Sequence, residues 1–386
     1  MKKQFSLVFF TLLAVCFLGA LPFYFSGSIP NFTDAVFESV SGFTTTGATV
    51  LRNIEAMPTV ILFWRSLTQW LGGIGILLVS AGSFRAQKKD IIRILLSIYA
   101  VLTALQFILL SAFGMNWFDA LTHSMSTIST GGFSIRNSGI AYYNNAAVEW
   151  VCVFFMFLSG INLLLVWLFF SGRAHSVIRN TETKVYAVIT LISAAIVATA
   201  ILPQTASLTK ATRQAFFHVT STISTCGFFN EDYSFWHPAA QGVIFFLLLT
   251  GGCSGSSAGG IKVIRHVILS KQMRNESKRF IYPRGIFDIP LDGKKSGNKK
   301  AVHSAAGFIF LYFLILFFTA ILISSSGMEV FDSFKTALVC LGNTGLGLPS
   351  ADFPAYVKWW LCLVMIAGRL ELWTVAALLT GIFRRR

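Results

Sequence analysis

Ser41-Gly42-Phe43-Thr44-Thr45-Thr46-Gly47-Ala48-Thr49 is the stretch that decides how the chain is read, because three related turns follow it around Gly132, Gly227 and Gly345. The four align without gaps. Counting thirteen residues forward leads from Asp34 to Gly47, from Asp119 to Gly132, from Gln214 to Gly227 and from Asp332 to Gly345. The middle copies are nearly one string, Ser126-Thr127-Ile128-Ser129-Thr130-Gly131-Gly132-Phe133 and Ser221-Thr222-Ile223-Ser224-Thr225-Cys226-Gly227-Phe228. Repetition at this scale means one structural unit used four times. Before the glycines stand small or polar residues: Thr44, Thr45, Thr46; Ser129, Thr130, Gly131; Ser224, Thr225, Cys226; Gly342, Asn343, Thr344. They suit an extended backbone whose carbonyls point inward.

The surrounding composition fits a membrane. Of 386 residues, 54% are hydrophobic and 12% charged, with a mean hydropathy of +0.67, which argues against a soluble globular domain. The net charge of +15 sits in short clusters between apolar runs. Membrane topology accounts for it better than nucleic acid does, since no basic surface interleaved with aromatics is evident. The six cysteines lie in apolar runs or glycine-rich turns without a CxxC pair, so neither a disulfide framework nor a zinc site is indicated. Met1-Lys2-Lys3 followed by Phe5 to Leu18 has the look of a signal peptide, but the same segment is needed as the first helix of the first repeat.

Outward from Gly47, the first unit reads as a span from Phe5 to Phe25, a short helix from Asn31 to Ser41, the turn, and a second span from Pro58 to Ala81. At 1.5 Å per residue the long runs cross a hydrocarbon core of roughly 30 Å. The second unit repeats the plan with Ile91 to Phe113, Trp117 to Ser129 and Ala147 to Phe170. The third has Val185 to Leu202, Lys210 to Ser224 and an outgoing segment from Ala239; the fourth has Val302 to Ser324, Val330 to Leu341 and Tyr356 to Phe383. The predicted fold is an all-α polytopic membrane protein of eight spans plus four re-entrant pore loops. Its divisions are repeat 1 over 1–82, repeat 2 over 83–172, repeat 3 over 173–282, a cytoplasmic linker over 283–300 and repeat 4 over 301–386.

The third outgoing segment is abnormal. Gly251-Gly252-Cys253-Ser254-Gly255-Ser256-Ser257-Ala258-Gly259-Gly260 cannot continue a helix comfortably, because each glycine costs roughly 1 kcal/mol relative to alanine. Irregular backbone at membrane depth is tolerated only where it is buried in protein or lines water, so these ten residues should border the pore. Lys and Arg crowd one side: Lys2, Lys3, Arg85 to Arg93, Arg173 to Lys184, Lys271 to Lys300 and Arg384 to Arg386. Both termini are therefore expected in the cytoplasm, with the turns reached from outside.

A dehydrated K⁺ needs oxygens to replace its water, and rings of backbone carbonyls supply them. Four copies in one chain can surround one axis, and glycine opens backbone angles closed to other residues. The competing reading, that Gly, Ser and Thr only pack helices together, fits one such stretch far better than four in phase.

Ser41 to Thr49, Gln69-Trp70-Leu71-Gly72-Gly73-Ile74-Gly75, Gly251 to Lys262 and Gly368-Arg369-Leu370-Glu371 together resemble the TrkH/KtrB branch of potassium-uptake proteins over nearly the whole chain. The resemblance implies four M1-pore helix-M2 repeats with pseudo-four-fold symmetry and one filter glycine each, carried here by Gly47, Gly132, Gly227 and Gly345. It implies K⁺ as the ion held at the filter carbonyls, and a homodimer in the lipid of the bacterial inner membrane. It also implies a cytosolic nucleotide-binding ring of the TrkA/KtrA kind. The family's intramembrane gating loop falls on Gly251 to Gly260 and its pore-facing arginine on Arg369, with a salt bridge to Glu371 or another acid as the alternative for that arginine. The sequence departs from TrkH in lacking two further helices ahead of the first repeat, as in KtrB, and in a short link from Ser83 to Asp90.

Glu38, His123 and His218 share one step of the repeat, with Thr336 in the fourth copy; a hydrogen-bonded belt behind the filter is expected there rather than a proton path. Arg65 and Gln69, one helical turn apart, are expected to bond backbone or a carboxylate. The chain reads as a K⁺-uptake permease gated by its intramembrane loop, with no catalytic dyad, phosphate loop, organic cofactor or nucleic-acid partner indicated. A Na⁺ or mixed pathway and a non-conducting assembly subunit are the rival readings.

Overall fold

The computed structural model describes residues 2–81, 88–282, 299–346 and 352–370, together with 285, 287, 289–291, 294–296 and 372. The helices recur in one order. In the first unit a long α1 (Lys2–Phe25) leads to a short α2 (Phe32–Phe43) and an outgoing α3 (Thr59–Ala81). The second has α4 (Lys88–Ala112), α5 (Trp117–Ile128), α6 (Ala146–Ser159) and α7 (Leu163–Phe170). After α8 (Ala174–Arg179), the third has α9 (Thr181–Thr205), α10 (Leu208–Ile223), α11 (Pro238–Thr250) and α12 (Val263–Ile281). The fourth has α13 (Lys299–Ser324), α14 (Val330–Gly342) and α15 (Ala355–Arg369).

Among the described residues, five helices are long and apolar enough to cross a membrane: α1, α3, α4, α9 and α13. Their exposed faces are oily, as with Leu7, Phe10 and Leu18 on α1, Val101 and Ile108 on α4, Leu191 and Ile192 on α9, and Phe310 and Phe317 on α13. The interior holds the polar side chains, including Arg65, Glu38, Gln69 and the residues preceding each filter glycine. That inversion is what a lipid solvent selects, because apolar surface costs nothing outside while every polar group needs a partner inside. The chain is a helical membrane protein.

Two features add detail to the expected plan. The run from Ala147 to Phe170 is not one straight helix: α6 and α7 meet at 108°. Gly160 ends the first piece, and the Asn162 side chain starts the second by accepting from the Leu164 N–H at 2.9 Å. The helical bonds lost at the bend are replaced from the third unit, where Cys253 N–H donates to the Gly160 carbonyl at 2.8 Å and Leu163 N–H donates to that of Gly255 at 3.3 Å. The linker expected over 283–300 also carries structure, an antiparallel hairpin of β1 (Ile289–Leu291) and β2 (Lys294–Ser296). The last span is described through Leu370 and at Leu372; Glu371, residues 373–383 and residues 82–87 of the link after α3 lie outside the described residues.

Candidate functional site: four turns in a ring and the loop beneath them

The short helices α2, α5, α10 and α14 are buried along their last turns and all end in the same way. In each, two backbone bonds close the end. Thr46 N–H donates to the Ser41 carbonyl at 2.8 Å, Gly131 to Ser126 at 2.8 Å, Cys226 to Ser221 at 2.9 Å and Thr344 to Val339 at 2.9 Å. One residue earlier, Thr45 donates to Gly42, Thr130 to Thr127, Thr225 to Thr222 and Asn343 to Cys340. This is the Schellman closure, whose pivot must adopt a left-handed conformation.

The pivots are Thr45, Thr130, Thr225 and Asn343, with φ of +52°, +55°, +58° and +53°. A β-branched residue there is a true outlier, held at a cost of about 1–3 kcal/mol each. Sequence reasoning placed the conformational demand on the filter glycines and missed these positions. The expectation holds at Gly47, Gly132 and Gly227, with φ of +83°, +74° and +86°. It fails at Gly345, which is not left-handed. There Leu346 N–H turns back to the Thr344 carbonyl at 2.7 Å, and glycine is required by contact instead. Nor is the backbone simply extended before the glycines, since each strand begins with the left-handed pivot.

The turns meet in cyclic order. A methyl group added at Gly47 would overlap the Gly131 carbonyl oxygen, one at Gly132 would overlap that of Cys226, and one at Gly345 would overlap that of Thr46; one at Gly227 would press on the Gly345 nitrogen. First touches second, second touches third, third touches fourth, and fourth touches first. Asn343 reinforces the last step, its Nδ2 donating to Thr46 Oγ1 at 3.0 Å and to the Met365 carbonyl at 2.9 Å. Thr44, Ser129, Ser224 and Thr344 are all buried in the same ring.

Behind the first turn, Glu38 accepts from Thr49 Oγ1 and Val50 N–H and forms a buried ion pair with Arg65 Nε at 2.8 Å. Arg65 also donates to the Ser134 carbonyl at 3.0 Å and lies over the Phe133 ring. His123 occupies the same place in the second unit, its Nε2 3.1 Å from Ser134 Oγ. The belt thus takes shape behind two turns. Behind the third, His218 is enclosed by Trp236 and Tyr233.

Under the ring lies the chain from Gly251 to Lys262, which contains no helix between α11 and α12. Gly251, Gly255 and Gly260 take φ of +70°, +80° and +76°. Its backbone is satisfied from several elements. Ser254 N–H donates to Glu182 Oε1 at 2.7 Å, and Asn162 Nδ2 donates to the Ser254 carbonyl at 2.8 Å. Ser257 Oγ donates to the Ile128 carbonyl at 3.0 Å, at the end of α5. Gly259 N–H donates to Thr225 Oγ1 at 2.7 Å, joining the loop to the pivot of the third turn. Gly252, Cys253, Ser256 and Ala258 are buried with it.

Arg369, at the end of α15, is buried and donates from Nη1 to the Ser257 carbonyl at 2.7 Å and from Nη2 toward Gly72 at 3.5 Å, while its Nε has no partner among the described residues. It therefore bridges the third unit's loop and the first unit's α3. No described carboxylate pairs with it. Sequence reasoning did not place Asn162 or Glu182 at the loop; the Ser159-Gly160-Ile161-Asn162 break carried the signal for the first.

The family model TrkH, described as a cation transport protein, matches residues 1–87 and 81–382. The chain is 34% identical over 400 residues to the Trk system potassium uptake protein TrkH of Halomonas elongata, covering 95% of this chain and 83% of that one. It is 32% identical over 403 residues to the protein of the same name from Escherichia coli K12, with the same coverages. Among solved structures, the crystal structure of the potassium transporter TrkH from Vibrio parahaemolyticus superposes with a TM-score of 0.93 at 31% identity, over 99% of this chain and 86% of that one. The chain belongs to the TrkH family of cation transport proteins.

Proposed function

We propose that the protein is the membrane subunit of a potassium-uptake system, passing K⁺ through the ring of four turns into the cytoplasm. The observation that carries this reading is the cyclic contact of Gly47, Gly132, Gly227 and Gly345 behind four identical helix closures. Carbonyls of Thr44, Thr45, Thr46, Ser129, Thr130, Gly131, Ser224, Thr225, Cys226, Asn343 and Thr344, together with the four glycines, are the ligand set from which K⁺ would be dressed. Oxygens without formal charge suit a monovalent ion that must leave again. Relatives named for potassium uptake support the choice of ion. A membrane potential contributes about 2.3 kcal/mol per charge per 100 mV, enough to drive accumulation. No reaction chemistry is assigned to the chain.

The loop from Gly251 to Gly260 is the gate in this reading, and Arg369 its electrostatic latch. A buried guanidinium bonded to Ser257 puts a positive charge beneath the filter, and moving the loop would release it. Eight spans with four re-entrant loops are inferred, in repeats bounded at 1–82, 83–172, 173–282 and 301–386 around a linker at 283–300. The inferred assembly is a homodimer in the bacterial inner membrane with both termini cytoplasmic, controlled by a nucleotide-binding ring of the TrkA/KtrA kind on the basic face.

The test is growth on limiting K⁺ and uptake of radiolabelled Rb⁺ in cells stripped of their own uptake systems, with and without the ring subunit. Uptake that K⁺ suppresses far better than Na⁺ is expected. Equal suppression by Na⁺ would replace this reading with a mixed cation pathway, and no uptake from protein present in the membrane would overturn it.

A further inference from the structure

The second filter turn differs from the others in one respect. The residue before its glycine is itself a glycine, Gly131, where the other turns carry Thr46, Cys226 and Thr344. Two successive glycines have more freedom to lose on ordering than any other pair, and their peptide rotates with little steric resistance. Something outside the turn must hold it.

Gln69, on α3 of the first unit, does so. It is fully buried, and its amide brackets Gly132: Nε2 donates to the Gly131 carbonyl at 2.7 Å, and Phe133 N–H donates to Oε1 at 3.1 Å. Both peptide groups flanking Gly132 are thereby tied to one rigid side chain on a neighbouring helix. A methyl group added at Gly131 would fall on the Gln69 amide carbon, oxygen and nitrogen together. The amide thus fills the place that a Cβ takes at this position in the other three turns. Among the described residues, no other filter glycine is bracketed by a side-chain amide.

We propose that Gln69 is the positioning residue of the second filter strand, acting from the adjacent repeat to hold the Gly131–Gly132 peptides in the orientation that discriminates K⁺ from Na⁺. This rests on the filter reading above. Discrimination depends on how many carbonyl dipoles face the ion and how firmly they are held. An untethered Gly-Gly strand can follow a smaller ion inward, so losing the bracket relaxes preference before it abolishes transport. A residue that merely filled space would leave the preference intact.

The experiment is Rb⁺ uptake in cells lacking their own K⁺ systems, reading the Na⁺ concentration that halves uptake relative to the K⁺ concentration that does so. Wild-type protein must show K⁺ preference first; if it does not, the filter reading has failed and not the role of Gln69. Gln69→Met keeps the length of the side chain and removes both hydrogen bonds. It is expected to lower the Na⁺:K⁺ ratio about tenfold, the effect of losing bonds equivalent to roughly one decade of discrimination. A wild-type ratio in Gln69→Met would overturn the proposal.

A second measurement decides should that variant not reach the membrane. Gln69→Ala, Gly131→Ala and the double variant form a cycle in which the new methyl group clashes with Gln69 only when Gln69 is present. The double variant is expected to prefer K⁺ more strongly than either single one. A double variant no better than the better single one overturns the proposal.

Discussion

The outgoing segments of the first and third units carry small residues close to the four turns and do opposite things with them. α3 runs unbroken from Thr59 to Ala81 through Gly72 and Gly73, whereas no helix exists between Thr250 and Val263. In α3 the glycines are surrounded by Leu71 and Ile74, and neighbours occupy the space a Cβ would take: the Phe43 carbonyl at Gly72, and Ser129 with Tyr99 at Gly73. The helical bonds survive and the glycines serve only close approach. In the third unit glycine and serine are dense, and Gly160, Asn162, Glu182 and Thr225 offer bonds that replace the helical ones. Small residues near a pore permit unwinding only where other elements supply partners for the freed backbone. The first segment stays helical and the third is unwound; in the proposed reading the first is a wall and the third the movable gate.

The sharpest way to break that contrast is to unseat the wall. Arg65→Met strands Glu38 as a buried, unpaired carboxylate, and the loss of folding stability is expected to be about 3–5 kcal/mol. It would appear as a large fall in the melting temperature of the purified protein, and Arg65→Met with Glu38→Met should recover much of it. Next in size is Gly72→Val, whose side chain meets the Phe43 backbone and should cost about 3 kcal/mol. Gly75→Val on the same helix, where nothing lies within 4 Å, should cost almost nothing. Equal effects at the two positions would refute the account of α3.

The movable part is tested by smaller changes. Glu182 Oε1 accepts from Ser254 N–H at 2.7 Å and from Ile264 N–H at 3.1 Å, gripping both ends of the loop. Glu182→Gln weakens two charge-assisted bonds by about 1 kcal/mol. Hydrogen exchange of the backbone over 251–262 should quicken about fivefold, while that of α3 stays unchanged. Comparable in size, Thr225→Val removes the acceptor for Gly259 N–H and should loosen the loop by roughly 1 kcal/mol. Thr225→Ser should behave as wild type in the same measurement.

Much of this was legible in the sequence, and the reasons are specific. The phase of Gly47, Gly132, Gly227 and Gly345 announces the repeat because thirteen residues fix a short helix plus its turn. The glycine run from Gly251 announces broken helix because propensity and depth in the membrane agree. The left-handed pivots were not legible, since Thr45, Thr130 and Thr225 are β-branched and their intrinsic preference points elsewhere. Only the paired backbone closures at the helix ends hold them there. The bend at Gly160 was hidden because one glycine and one asparagine in an apolar run are compatible with a continuous span. The partner that makes bending favourable, the loop at Cys253, lies more than ninety residues further on. Gln69 had a visible helical position, but its bond to Gly131 depends on how two repeats face one another.

Whether the four turns form one ion-selecting ring is read out by K⁺-versus-Na⁺ competition for Rb⁺ uptake in Gly227→Ser beside wild type. Gly227 has the loosest surroundings of the four glycines, its nearest neighbour to an added Cβ being the Gly345 nitrogen at 2.9 Å. The substitution therefore disturbs the ring without filling it. The account predicts that uptake persists at a reduced rate and that Na⁺ competes several-fold better than in wild type. Unchanged preference, with uptake reduced only in proportion to the protein present, would contradict it.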